Sequence, residues 1–190
     1  MKACSLFLMM SASVFGANIV TNPGFESGST GWTITQWFVA DARPGNPVGP
    51  NEILTGCVGS GCITTPAAFF FQDLTTVIGQ SYTLSFLLYS DAGTPSQVRA
   101  LWGGATALDI VNPASLAWTP FSTTVVATTT TTRLQFNGRH DPAFIWLDDI
   151  SVDSTSPVPE PSAVILSISG LAAVALRIRQ RRSPSTAEQL

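Results

Sequence analysis

Ser81-Tyr-Thr-Leu-Ser-Phe-Leu-Leu-Tyr89 sets Tyr82, Leu84, Phe86 and Leu88 against Thr83 and Ser85, apolar and polar in turn. Successive side chains of a strand point to opposite faces, so this period of two predicts a strand with one face on a core. Leu134 and Phe136 alternate with Arg133, Gln135 and Asn137 in the same way. Outward from these two stretches, residues 32–39, 69–74, 97–102, 105–111, 118–127 and 144–152 are rich in aromatic and β-branched residues and are punctuated by Gly, Pro, Asn and Asp. None of them carries a sustained helical period. Eight or nine short strands at this spacing predict an all-β fold, a β-sandwich of jelly-roll type. Residues 41–66, loaded with Pro, Gly and Asn, are expected to form a long loop over one end of it.

The two ends of the chain carry a different kind of information. Met1-Lys2 is a positive start, residues 3–15 are apolar or small, and Val14-Phe15-Gly16 puts small or β-branched residues at −3 and −1. Residues 1–16 therefore read as a secretory signal peptide, to be removed by signal peptidase after passage through the general secretion machinery. At the other end, residues 163–176 are an uncharged run of fourteen, flanked by Pro157, Pro159 and Pro161 and followed by Arg177, Arg179, Arg181 and Arg182. As a helix the run spans about 21 Å, short of a hydrocarbon core of roughly 30 Å, and snorkelling Arg side chains extend its usable length. The Arg cluster prefers the cytoplasmic side, which places residues 17–156 outside and residues 183–190 as a cytoplasmic tail. That exported stretch holds four Arg, no Lys and ten Asp plus Glu, a net charge of −6. An acidic body argues against nucleic acid as a partner, since phosphate neutralisation needs a basic face.

The tail resembles the PEP-CTERM sorting domain, through Pro159-Glu160-Pro161, the short apolar helix, the Arg cluster and the opposite-end signal. The resemblance covers residues 158–182 and implies recognition by an exosortase, cleavage near the motif and delivery to the surface or exopolysaccharide of a Gram-negative bacterium. Here eight residues trail the Arg cluster, where such tails usually end sooner. The body is expected to be one domain, residues 17–153, joined to this segment by a linker at 154–157.

Asn22-Pro-Gly-Phe-Glu-Ser-Gly28 with Gly31-Trp32, Gly79-Gln-Ser-Tyr-Thr-Leu-Ser-Phe86 and Phe144-Ile-Trp-Leu-Asp-Asp-Ile-Ser-Val152 resemble the opening, middle and closing strands of galactose-binding-like jelly rolls and carbohydrate-binding modules. That likeness implies a structural Ca²⁺ joining the first turn to the last strand, with Glu26, the Gly24 carbonyl and Asp148 as its matching ligands. Hard oxygen donors on an acidic exported domain suit that ion. The alternative is that Glu26 and Asp148 only hydrogen-bond backbone at a strand edge.

Cys57 and Cys62 are the two cysteines left once the signal is removed, and in an oxidising compartment they are expected to pair. Closing so short a loop contributes roughly 2 kcal/mol in the chain-entropy picture. Sugars stack on exposed rings, so the tryptophans are candidate ligand-binding residues. In residues 32–39, period two puts Trp32, Ile34 and Phe38 on one face and Thr33, Thr35 and Trp37 on the other, which projects Trp37 from the polar face. Trp102 is the second candidate, with core packing as its alternative, and Arg99, Asp109, Arg139 and His140 are candidate hydrogen-bonding groups. Catalysis finds little support. The sole histidine, His140, lies in Gly138-Arg-His-Asp-Pro142, which reads as a turn, and adjacent Asp148 and Asp149 point to opposite faces of a strand and cannot form a glycosidase pair. The expected function is thus a non-catalytic, surface-sorted sandwich that binds or structures extracellular polysaccharide, with a matrix or adhesion module lacking a sugar pocket, or an unrecognised hydrolase, as alternatives.

Overall fold

The computed structural model describes residues 16–155 apart from 65, 66, 115 and 142, so the expected signal peptide up to residue 15 and the sorting segment at 158–182 lie outside the described residues. The described residues form ten strands and one 3₁₀ turn. The strands are β1 (Thr33–Thr35), β2 (Phe38–Asp41), β3 (Asn51–Thr55), β4 (Phe69–Thr75), β5 (Ser81–Ser90), β6 (Ser96–Trp102), β7 (Ala105–Val111), β8 (Leu116–Val126), β9 (Thr131–His140) and β10 (Ile145–Ser154). They make two antiparallel sheets of five, ordered β1-β4-β9-β6-β7 and β2-β3-β10-β5-β8. This is the expected all-β sandwich, and β5 buries Tyr82, Leu84, Phe86 and Leu88 as its alternation requires.

The core is built on an aromatic stack. Phe70 of β4 meets Trp37 at 4.8 Å, Phe136 at 5.0 Å and Trp32 at 5.2 Å between ring centroids, and Phe136 passes the contact to Phe86 of the other sheet at 5.2 Å. Each such ring contributes about 1.5–3 kcal/mol by leaving water. The Asn22–Gly28 motif plugs one side of this stack. Asn22, at φ 54°, accepts from the Ser27 N–H and donates to the Gly28 and Thr30 carbonyls, while its own carbonyl accepts from Trp32 Nε1. The turn so closed drives Phe25 into the interior, 5.6 Å from Trp32.

Three expectations about the chain path change. Residues 32–39 are two strands in different sheets, because Gln36 adopts φ 54° and turns the chain between them. The turn reverses the expected faces: Trp37 is only 3% exposed, whereas Phe38 is 64% exposed. Residues 41–66 are not a continuous loop, since β3 lies within them and residues 42–50 pass over the outer face of the second sheet. Residues 138–142 are not a turn from the start, because β9 continues through Gly138 to His140. Gly138 is what permits it: a Cβ there would lie 2.3 Å from Trp37 Cζ2 and 2.8 Å from Thr55 Cγ2. β10 also ends one residue later than the expected domain boundary, at Ser154, and the Thr155 N–H still donates to the Ser81 carbonyl.

Cys57 and Cys62 form a disulfide. β10 carries a bulge, with its register against β5 shifting between Asp148 and Ser151 and Asp149 at φ 49°. Ile145, Leu147, Ile150 and Val152 are all fully buried, and the three-residue step from Leu147 to Ile150 is the length the bulge absorbs.

Candidate functional site

The outer face of the first sheet is open over β4, β6 and β7, while the 3₁₀ turn Ser60–Ile63 packs against β9 and Asn137 is buried. Phe70, Gln72 and Leu74 of β4 point inward, so Phe69, Phe71 and Asp73 point out, with the Phe69 and Phe71 rings stacked at 6.0 Å and half-exposed. Register carries a row across all five strands: Thr35 opposite Phe69, Phe69 opposite Asn137, Asn137 opposite Arg99, and Arg99 opposite Asp109. Four inter-strand steps make this row about 19 Å long. A second row places Phe71 opposite Gln135. The planar polar groups are tied to one another. Gln135 Nε2 donates to Asn137 Oδ1 at 2.9 Å, and Asn137 Nδ2 to the Ala68 carbonyl at 3.1 Å. Arg99 donates twice to Asp109 Oδ2, at 2.9 and 3.1 Å, and Gln97 donates to Oδ1 at 2.6 Å.

Two further ion pairs belong to the first sheet. Arg133 donates to both oxygens of Asp73 at 2.8 Å and lays its guanidinium 3.7 Å over Phe71. Arg139 donates to Asp141 at 2.6 Å. These hydrogen bonds hold the Asp73 and Asp141 carboxyls below the usual carboxylate range. Three of the four Arg between residues 17 and 156 are thus neutralised by an aspartate of this sheet or its border. Rings, amides and fixed charge pairs on a neutral surface match the mixture of apolar faces and hydroxyls on a sugar chain.

The second sheet's outer face is covered over β3, β10 and the end of β5, while Pro120, Ser122, Thr124 and Val126 of β8 stay exposed. Arg43, from residues 42–50, stacks 3.5 Å from the Trp146 ring and 4.0 Å from Tyr89. Asn46 follows it, and its Nδ2 donates to Asp148 Oδ2 at 2.8 Å and to Glu52 Oε2 at 3.1 Å. Both carboxylates are almost wholly buried. Burial raises the Glu52 pKa. It also pushes the Asp148 carboxyl up to about 6, against hydrogen bonds from Asn46 and the Asp149 N–H and with the neighbouring Asp149 and Glu26 charges adding to the rise.

The structure brings the expected metal ligands together. A Cβ on Gly24 would lie 3.4 Å from Asp148 Oδ1 and 3.6 Å from Glu26 Oε1, and the Asn51 N–H donates to Glu26 Oε1 at 3.3 Å. Among the described residues no group of three or more His, Cys, Asp or Glu is placed to hold a metal ion, so a cation here would rest on two carboxylates plus carbonyl oxygens. Asp148 is buried with a raised pKa and Glu26 is exposed beside it, and oxygen donors of like charge at this spacing fit a hard cation in kind.

The tryptophan candidates are corrected. Trp37 is walled in by Phe70 and Gly138, and Trp102, 7% exposed, donates from Nε1 to the Val126 carbonyl and packs on Tyr82. Neither ring offers a face to a ligand. His140 is equally engaged: the Ala143 N–H donates to Nδ1, and Nε2 lies 3.0 Å from the Asp91 carbonyl oxygen. Arg99 and Asp109 do lie on the open face. Phe69 and Phe71 escaped the sequence reading, although three consecutive phenylalanines in a strand cannot all face one core.

No family model and no curated protein matches the chain. Solved structures do match. TmCBM61 in complex with β-1,4-galactotriose is 16% identical with a TM-score of 0.56, covering 72% of this chain and 97% of that one. The fold is a jelly-roll β-sandwich of the kind seen in such carbohydrate-binding modules. The CBM22-1 xylan-binding domain from Paenibacillus barcinonensis Xyn10C is similar at 15% identity and TM-score 0.52, covering 77% and 100% of the two chains. The enzymatically active domain of bacteriophage CBA120 tailspike protein 4, 13% identical with a TM-score of 0.55, contains the fold within a longer chain, of which 21% is covered.

Proposed function

We propose that this chain is an exported, non-catalytic carbohydrate-binding sandwich that binds or structures extracellular polysaccharide through the outer face of its first sheet. The observation that carries the reading is the outer row of the first sheet, in which the partly exposed Phe69 and Phe71 rings, the Gln135 amide and the Arg99–Asp109 pair lie in register on either side of the buried Asn137. The fold likeness to modules described as bound to galactotriose or as xylan-binding supports it. Retention of the exported chain on a panel of insoluble polysaccharides tests it. Binding lost in Phe69→Ala with Phe71→Ala, at unchanged melting temperature, is the expected result; no retained glycan in the panel would sink the reading.

The chain reaches its site of action through its ends. Residues 1–16 are a signal for the secretion machinery and signal peptidase, the C-terminal helix holds the membrane, and Pro159-Glu160-Pro161 with Arg177, Arg179, Arg181 and Arg182 directs an exosortase. Cleavage near the motif releases the sandwich to the surface or matrix of a Gram-negative bacterium. Mass spectrometry of the surface form decides this, since an intact C-terminal tail would exclude cleavage. A structural Ca²⁺ would be held by Glu26, Asp148 and the Gly24 carbonyl, where it would supply the counter-charge that the buried Asp148 and its exposed neighbour Glu26 lack.

A matrix or adhesion module without a sugar pocket is the second reading. Arg133 favours it, because its guanidinium already occupies one face of Phe71. Arg133→Ala separates the two: it opens the ring, and binding strengthens if Phe71 is a sugar platform.

A further inference from the structure

The two ends of the sandwich differ in charge. The end at which the described chain finishes, at Thr155 beside Ser81, is built from the loops 76–80, 103–104 and 127–130, and these contain no charged residue. The opposite end carries Arg43, Asp91 and Asp141. The uncharged end is also apolar at its tip. Val77 and Ile78 are 66% and 63% exposed, and Val126 beside them is 49% exposed.

Val77 and Ile78 open a tight turn, where polar residues are the usual occupants. The Gln80 N–H donates to the Val77 carbonyl at 3.0 Å, and Gly79 at φ 80° supplies the left-handed corner. The turn is braced on every side. The Val77 N–H donates to Tyr82 Oη, the Gly79 N–H to the Ala127 carbonyl and the Thr76 N–H to the Thr130 carbonyl. Two β-branched side chains are therefore held outward on a rigid backbone, so burying them costs little ordering entropy.

We infer that this tip docks on the interfacial layer of a lipid bilayer, with Val77 and Ile78 entering the headgroup–acyl boundary. The inference rests on the reading of residues 163–176 as a membrane segment. Seven residues separate Thr155 from Ala163, at most about 25 Å of chain, so the tip that stands beside Thr155 is tethered within reach of the surface. Two apolar side chains are too few to hold a free protein on a membrane, but a short tether raises their effective concentration to the millimolar range. The lack of charge at this end serves the same contact. The loops at the tip carry no charged side chain, so the Val77–Ile78 contact itself strips no ion of water, while Asp153 and the mature α-amino group at Ala17 stand at its border. Docked in this way, the strands run away from the bilayer and the first sheet's open face stands clear of it.

The test uses the mature chain with its C-terminal segment, reconstituted into phosphatidylcholine vesicles with brominated acyl chains. Ile78→Trp is compared with Val58→Trp, whose parent side chain is 70% exposed by the cysteine loop near the other end. Both carry the same intrinsic liking of indole for interfaces. The expected result is loss of most of the emission added by Ile78→Trp and little loss of that added by Val58→Trp. Equal quenching in a chain that floats with the vesicles overturns the tip contact and leaves the membrane segment standing. A chain that does not float overturns both.

Discussion

The two outer faces of the sandwich treat the same side chain in opposite ways. On the first sheet Asp73 stays near solvent beside Arg133, and the hydrogen bonds lower its pKa. On the second, residues 42–50 cover Asp148 and supply an amide in place of a cation, and its pKa rises to about 6. The difference is made by the cover and not by the residue. An open face can keep charge in cheap surface pairs and stay available to a ligand, whereas the covered face holds buried acids whose charge asks for a counter-ion.

The strongest way to break this contrast is to loosen the cover. Asn46→Ala removes the one amide that donates to both Glu52 and Asp148, and stability should fall by about 3 kcal/mol in urea denaturation with the m-value unchanged. Calcium sharpens it from the other side. At a free concentration about a hundredfold above Kd, binding at Glu26 and Asp148 adds about 2.7 kcal/mol and raises the melting temperature, and Asp148→Asn should abolish the rise. A chelator-treated chain whose calorimetric transition ignores added calcium would remove the ion from the account.

The pH dependence follows in the metal-free chain. Because the folded Asp148 carboxyl binds its proton more tightly than the unfolded one, its contribution is fully present below the ordinary value of 3.8 and is lost as pH rises through about 6. Glu52 acts in the same direction. Melting temperatures measured across pH 4–6 should therefore show a downward component that Asp148→Asn removes and that saturating calcium offsets. On the open face the effects are smaller and fall on binding: Phe71→Ala alone should weaken polysaccharide retention about tenfold, equivalent to about 1.4 kcal/mol. Smallest of all, Arg133→Ala should change stability by less than about 1 kcal/mol, since its pair with Asp73 is nearly half exposed on both sides.

What could be read in advance follows the range of the physics involved. The alternation of Tyr82 to Leu88 is local and announced β5 to within a residue of its end. The Asn22–Gly28 turn and the closing strand were legible by resemblance, and with them the approach of Glu26, Gly24 and Asp148. Gln36 gave no warning, because neither Gly nor Pro marks the point at which the chain changes sheets, and that single αL residue carried Trp37 from a supposed surface into the core. Asn46 was equally silent: its partner Asp148 lies 102 residues away, and no local pattern encodes which face residues 42–50 will cover.

The bulge in β10 has a consequence best put as a matter of parity. A strand is written in a two-letter code, in and out, and the code keeps time only while no residue is skipped. Asp149 is one silent letter: Ile145 and Leu147 are read as odd, Ile150 and Val152 as even, and all four still land inside. Deleting that one letter would bring all four into a single phase and leave the strand regular, whereas inserting a further residue with no second bulge to absorb it would turn Ile150 and Val152 toward water. At this point the closing strand thus tolerates the loss of a letter better than the gain of one.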